Sequence, residues 1–208
     1  MTDFEINPVY EKIIQDLIEQ KYSVSDFFFS DKEVIDLRNS LLKKQKEDTF
    51  KKSAIGNLSN EMIVEEIRGD FISWLDECTI DVAEQRFFIK INDFIEYLNC
   101  TCFMGIHDKE FHYAIYPEGT FYKRHLDTFK NDSSRKLSMV CYLNDENWQP
   151  QYGGELAIYL PVPNRGETVK NIYPLKGRMV IFESQVLEHE VKPVNRKRFS
   201  ITGWLKTR

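Results

Sequence analysis

From about residue 100 onward the chain is cut into short β-rich runs by turn-forming residues, which limits the open folds more than any other feature. The runs are CTCFMGI, FHYAIY, KLSMVCYL, GELAIYL, RMVIFE and RFSITGWL, and PEG, NDE, YGG, PNRG and LKGR separate them. Many short strands at such close spacing predict a sandwich or jelly roll and not a parallel α/β sheet, whose strands are separated by helices. The last run carries a further constraint. In RFSITGWL, Arg198, Ser200, Thr202 and Trp204 fall on one face, and Phe199, Ile201, Gly203 and Leu205 on the other. That alternation predicts a polar face toward a pocket and an apolar face toward a second layer.

The first half reads as helical. Asn7 can cap a helix whose first position is Pro8, with Tyr10, Ile13, Ile14, Leu17 and Ile18 on one apolar face. Ser30 followed by Glu33 forms a capping box, and the helix after it has a stripe of Val34, Leu37, Leu41 and Leu42. The Lys- and Ser-rich stretch from Lys43 to Asn60 reads as a loop, and a short helix is expected from Asn92 to Leu98. No repeat and no break divides the strand block. The expectation is one domain over 1–208, α+β in class, with a helical buttress over 1–49 and a β core over about 100–208.

Composition removes several functional classes. With 42% hydrophobic and 29% charged residues the chain is neither disordered nor a helical membrane protein. A net charge of -5 argues against a strongly basic nucleic-acid binder. The acidic start, MTDFEINPVYEK, has no signal-peptide core. Cys78, Cys100, Cys102 and Cys141 form no CxxC pair, and the spacing of Cys100 and Cys102 suggests buried thiols on a strand. A reducing, cytoplasmic compartment is expected.

Four histidines exist: His107, His112, His125 and His189. His125 and Asp127 stand two apart in FYKRHLDTF, so on a strand both project to one face. Alone this pair is weak, since chance supplies one in roughly a quarter of such chains. His189 follows 62 residues after Asp127, at the edge of the strand run RMVIFESQVLEHEV. Two imidazoles and one carboxylate on one side of an ion leave the opposite positions free, as a non-haem iron oxygenase requires. Arg198, nine residues after His189, would need an anion if buried. Either the distal carboxylate of 2-oxoglutarate or a protein carboxylate such as Glu183 or Glu188 would serve.

HLD, LEHEVKP and RFSITGW resemble, in that order, the signature of the 2-oxoglutarate/Fe(II) dioxygenases of the prolyl 4-hydroxylase branch. YPEGTFYKRHLD, SMVCYLN, YGGELAIY and YPLKGRMVIFES match the intervening strands, and IRGDFISWL at 67–75 is similar to a segment of the hypoxia-sensing prolyl hydroxylases and their bacterial relatives. The resemblance implies a double-stranded β-helix, a cupin-like jelly roll, with helices packed on the major sheet. It implies His125, Asp127 and His189 as iron ligands and Arg198 as the 2-oxoglutarate anchor, with Tyr142, Tyr116 and Thr202 also touching that co-substrate. Arg68, Asp70, Arg135 and Trp204 match positions near the substrate groove, with an internal Arg68–Asp70 ion pair as the structural alternative. The segment from Asp76 to Asn92 corresponds to a mobile substrate-covering loop, whose Phe87 and Phe88 either close over the iron or sit in the core.

The implied reaction hydroxylates a prolyl residue in a protein, consuming 2-oxoglutarate and dioxygen, with ascorbate as an accompanying reductant. The bacterial relatives raise elongation factor Tu as a partner; neither nucleic acid nor membrane is implied. A free amino acid or other small molecule is the alternative substrate. Two rival classes remain: a zinc hydrolase, which also uses His₂-carboxylate sites but here lacks an HExxH helix, and a β-helix retained only for binding.

Overall fold

The computed structural model describes residues 5–53, 67–128, 133–162 and 166–207. Helix α1 (Pro8–Gln20) starts where expected: the Asn7 side chain accepts from the Val9 and Tyr10 amides, and Lys21 closes the helix in the left-handed region. Helix α2 (Asp31–Lys46) begins at the capping box of Ser30 and Glu33. On α1, Tyr10, Ile13 and Leu17 are buried, whereas Ile18, assigned to the same face, points to solvent. β1 (Tyr22–Ser25) lies between the two helices.

Two expectations in this half are corrected. The Lys-rich stretch is not loop from Lys43, because α2 runs to Lys46 and Lys51–Lys52 form β2; residues 54–60 lie outside the described residues. The segment from Asp76 to Asn92 is largely not a loop, and the third helix is not short. Asp81 caps α3 (Val82–Cys102) by accepting from the Ala83 and Glu84 amides. Phe87, Ile91, Phe94 and Leu98 recur at steps of four and three, a helical period, and all are buried. Phe87 and Phe88 sit in the core under the helices instead of closing over a site. Cys100 and Cys102 lie on the last turn of this helix, exposed and half-buried, so CTCFMGI is no strand.

The remaining strands are β3 (Phe71–Trp74), β4 (Asp108–Tyr116), β5 (Tyr122–His125), β6 (Arg135–Tyr142), β7 (Leu156–Val162), β8 (Gly166–Ile172), β9 (Met179–Glu183), β10 (His189–Val191) and β11 (Arg198–Lys206). They form a seven-stranded sheet in the order β1-β9-β6-β11-β4-β3-β2 and a four-stranded sheet in the order β5-β10-β7-β8. All pairings are antiparallel. RMVIFESQVLEHEV is therefore two strands: it leaves the major sheet after Glu183 and enters the minor sheet at His189.

β11 is central, flanked by β4 and β6. Its alternation is the one expected: Phe199, Ile201 and Leu205 join the core beneath the helices, while Arg198, Thr202 and Trp204 face a cavity between the sheets. Gly203 is required by close approach, since a Cβ there would meet the Glu110 carbonyl at 2.3 Å and the Phe111 ring at 2.1 Å. Helices cover one face of the major sheet and the minor sheet covers the other, which makes the fold a double-stranded β-helix with a helical buttress.

Phe94 tests the corrected reading of α3. It is fully buried, with ring centroids 4.9 Å from Tyr10 and 5.4 Å from Phe28. Phe94→Ala should cost about 3–5 kcal/mol of unfolding free energy in a denaturant titration, as large aromatic truncations in cores do. A loss under about 1 kcal/mol, typical of a mobile covering segment, would contradict the helix packing.

Candidate metal centre and anion pocket

β5 and β10 pair antiparallel with His125 directly opposite His189, which brings two distant parts of the chain to one point. Asp127 lies two residues beyond the end of β5. Its Oδ1 is 3.4 Å from Nε2 of His125 and its Oδ2 3.4 Å from Nε2 of His189. One ligand atom from each of the three lies within 4.8 Å of the others, a spacing that suits a single cation.

Neighbouring groups orient each ligand. Nδ1 of His125 is 2.7 Å from the Lys123 carbonyl, and Nδ1 of His189 is 3.2 Å from the Leu187 carbonyl. A carbonyl only accepts, so each Nδ1 carries the proton and each Nε2 presents a lone pair to the centre. Ser138 donates to Oδ2 of Asp127 at 2.7 Å and is itself 2.9 Å from the Ser184 hydroxyl. Tyr122 stacks on His125 with centroids 3.7 Å apart, and Phe182 meets His189 at 4.6 Å. Burial pushes the His189 imidazole down to about 4, so it is neutral at physiological pH. Burial also opposes charge on Asp127, while the Ser138 hydroxyl donating to its Oδ2 favours the ionised form. A neutral His189 imidazole beside an ionised carboxylate is the protonation pattern a divalent metal takes.

The three residues line a cavity of about 650 Å³. At its far end lies Arg198, 1% exposed, with its guanidinium 4.9 Å from the Tyr116 ring centroid and 4.8 Å from that of Tyr142. Among the described residues it has no carboxylate partner. The acids weighed as alternatives are engaged elsewhere, Glu183 with Lys21 and Glu188 with Arg124. Among the described residues Nε of Arg198 is buried without a hydrogen-bond partner, and Tyr142, which does not line the cavity, keeps its buried hydroxyl beside the guanidinium. A buried guanidinium left uncompensated is costly, so this end of the cavity is built for an anion from outside.

The other expected residues divide. Tyr116, Thr202, Trp204, Arg68 and Arg135 line the cavity. Asp70 does not; it is buried and bidentate with Arg68, at 2.8 Å to Nε and 2.6 Å to Nη2. Burial opposes the Asp70 charge, yet the Arg68 bonds lower its pKa overall. The internal ion pair weighed from the sequence is thus present, and it points the Arg68 guanidinium over Tyr122, 4.4 Å from the ring centroid. Arg135 pairs with Glu110 and stacks 3.5 Å from the Trp204 centroid. Sequence reading passed over Ser138, Tyr122, Trp74 and His112. Of these His112 was accessible, because in FHYAIY it shares a strand face with Tyr116.

The profile of the 2OG-Fe(II) oxygenase superfamily matches residues 111–206, the stretch containing all three clustered ligands and Arg198. The chain belongs to that superfamily, and its cofactors are ferrous iron and 2-oxoglutarate, with dioxygen as co-substrate. Its likeness runs to the prolyl hydroxylases within it. A prolyl-4-hydroxylase of Pseudomonas putida superposes with a TM-score of 0.85 at 33% identity, over 97% of this chain and 100% of that one. A Trichoplax adhaerens prolyl hydroxylase, solved with a peptide fragment of the hypoxia-inducible factor oxygen degradation domain, gives 0.82 at 26%, over 95% and 88%. The hypoxia-inducible factor prolyl hydroxylase of Caenorhabditis elegans is 35% identical over 153 residues, 70% of this chain but 20% of that protein. The chain thus spans about a fifth of that curated relative's length.

The unpaired guanidinium has a consequence for stability. Arg198→Met keeps much of the side-chain volume and removes a buried charge, so without ligand it should stabilise the protein by about 1–3 kcal/mol. Thermal unfolding in 2-oxoglutarate-free buffer measures this, and a destabilised variant would mean that the charge is already compensated.

Proposed function

We propose that the protein hydroxylates a prolyl residue of a protein substrate, with His125, Asp127 and His189 holding iron and Arg198 gripping the distal carboxylate of 2-oxoglutarate. The observation that carries the site assignment is Arg198, a fully buried guanidinium with no acidic partner at the end of the cavity that holds the triad. Bound iron and 2-oxoglutarate supply the oxidising chemistry, coupling decarboxylation of 2-oxoglutarate to succinate with insertion of one oxygen atom into a substrate C–H bond.

The chain's own groups do the positioning. Tyr142 and Tyr116 flank the guanidinium, and Arg198 lines the same cavity as the triad. The buried Tyr142 hydroxyl lies beside the Arg198 guanidinium, though not on the cavity lining, and would support it in holding the same carboxylate. Thr202, on the cavity face between Arg198 and Trp204, would help to hold the co-substrate. The carbonyls of Lys123 and Leu187 keep both imidazoles in the ligating tautomer, and Ser138 keeps Asp127 turned toward them. Arg68, Arg135 and Trp204 form the wall that meets the substrate chain, and Asp70 holds Arg68 in place.

A prolyl target is supported by the three relatives, each named as a prolyl hydroxylase. A protein target is supported by the peptide in the Trichoplax complex. Elongation factor Tu is the particular substrate we put forward first. A reducing, cytoplasmic setting is proposed on the four cysteines, all of them free thiols.

Anaerobic titration of the apoprotein with Fe(II) and 2-oxoglutarate should give a visible charge-transfer band. His125→Ala and Asp127→Ala should abolish substrate-coupled succinate formation, and Arg198→Met should weaken 2-oxoglutarate binding at least about 100-fold, as loss of a buried charge pair does. Wild-type turnover in both ligand variants would refute the ligand set. Mass spectrometry of purified elongation factor Tu and of lysate protein after reaction should show a one-oxygen gain on proline. Oxygen gained only by free amino acids would refute the protein substrate.

A further inference from the structure

Once the triad, Arg198 and Tyr142 have their roles, two polar atoms of the cavity wall still lack partners: Nδ1 of His112 and Nε1 of Trp204. They belong to adjacent strands. His112, on β4, lies opposite Thr202 of β11 and Trp74 of β3, and Trp204 stands two residues further along β11. The His112 and Trp204 rings are 5.6 Å apart, and Trp74 meets the other side of the imidazole edge-on at 5.0 Å. His112 is 2% exposed, lines the cavity and makes no hydrogen bond to a described residue. Burial, aided by Arg68 and Arg135 against Asp70 and Asp127, pushes this imidazole down to about 3. It is therefore neutral, with one N–H and one lone pair beside an indole N–H.

This patch is separate from the anion pocket. Arg198 lies opposite Tyr116 on β4, four residues from His112, roughly 13 Å along the strand. His112 lines the same cavity as the metal ligands and as Arg68 and Arg135 of the wall assigned to substrate. We propose that His112 and Trp204 form an amide-binding subsite for the peptide group on the C-terminal side of the target proline. That choice follows from proline chemistry and rests on the prolyl-substrate reading above. The amide before a proline has no N–H. The amide after it supplies an N–H that the imidazole lone pair accepts, and the indole beside it donates to the carbonyl of that same following residue, which in an extended chain points the same way.

The test uses the full chain with Fe(II), 2-oxoglutarate and a library of short acetylated, amidated peptides with a central proline and randomised flanks. The best peptide is then remade with an ester in place of the amide after the proline. His112→Leu should raise KM for the amide peptide about five- to tenfold, the worth of a hydrogen bond, while the 2-oxoglutarate charge-transfer titration is unchanged. His112→Gln should recover most of the loss. The ester should cost the wild type the same factor and His112→Leu almost nothing more, as expected for two changes that remove one interaction. Should His112→Leu fail to fold, His112→Ala or His112→Phe, which likewise lack the acceptor, carries the cycle against wild type.

An unaltered KM in His112→Leu, or an equal ester penalty with and without the imidazole, would overturn the subsite while leaving prolyl hydroxylation intact. Weakened 2-oxoglutarate binding with unchanged peptide KM would overturn it too, by assigning His112 to the co-substrate. Hydroxylation of no peptide by the wild type would remove the prolyl reading and the subsite with it.

Discussion

A guanidinium held between two aromatic rings, with no acid among the described residues to neutralise it, is the interaction on which the site is organised. Arg198 is held there by the central position of β11, whose pairings on both sides leave it no freedom to turn outward. The turn at Gly153 and Gly154 makes room for it: a Cβ on Gly154 would sit 3.1 Å from the Arg198 Cδ and 2.4 Å from Val194, and its φ of +69 already favours glycine. The protein thus carries an electrostatic debt that an anionic co-substrate settles, which makes binding of that anion part of the stability of the fold. The cavity is polarised as a result. On the proposed reading Arg198 takes a carboxylate, the triad takes a cation, and the wall of Arg68, Arg135 and Trp204 faces the substrate.

The metal centre depends on a different kind of constraint, backbone pairing between strands far apart in sequence. His125 and His189 are register partners on β5 and β10. On the outer face of the same strands, Arg124 bridges Glu188 and Glu167 and stacks 3.7 Å from the Tyr159 ring centroid. These exposed ion pairs add little stability of their own. The orienting work is done inside, where the Lys123 and Leu187 carbonyls and the Ser138 hydroxyl fix the direction of each ligand. Because these contacts come from backbone and from β6, the donor set is arranged by the fold before any metal arrives.

The sequence was legible where local rules dominate. The caps at Asn7 and Ser30 start helices because their side chains satisfy amides that no helix can satisfy for itself. The alternation in RFSITGWL carried through to two faces in different environments, because a strand has no other way to place its side chains. Reading failed where a family likeness was allowed to outweigh periodicity. The Asp81 cap and the apolar spacing of Phe87, Ile91, Phe94 and Leu98 marked a helix in what was read as a covering loop. It failed also where strands are short: β1, β2 and β10 have four residues or fewer, too few for a pattern to emerge, and exist because a neighbouring strand pairs with them.

Taken alone, the order of residues determined which side chains were available, two histidines, one aspartate and one arginine at separations that only folding could close, and the antiparallel class that could close them. Only the tertiary structure decided that Asp127 converges on the histidines from beyond the end of β5, that Asp70 serves Arg68 instead of lining the cavity, and that His112 faces inward without a partner. Pattern rules describe neighbours along one chain segment. Partnership across a cavity depends on which strands lie side by side, and that is settled by packing of the two sheets and the helices behind them.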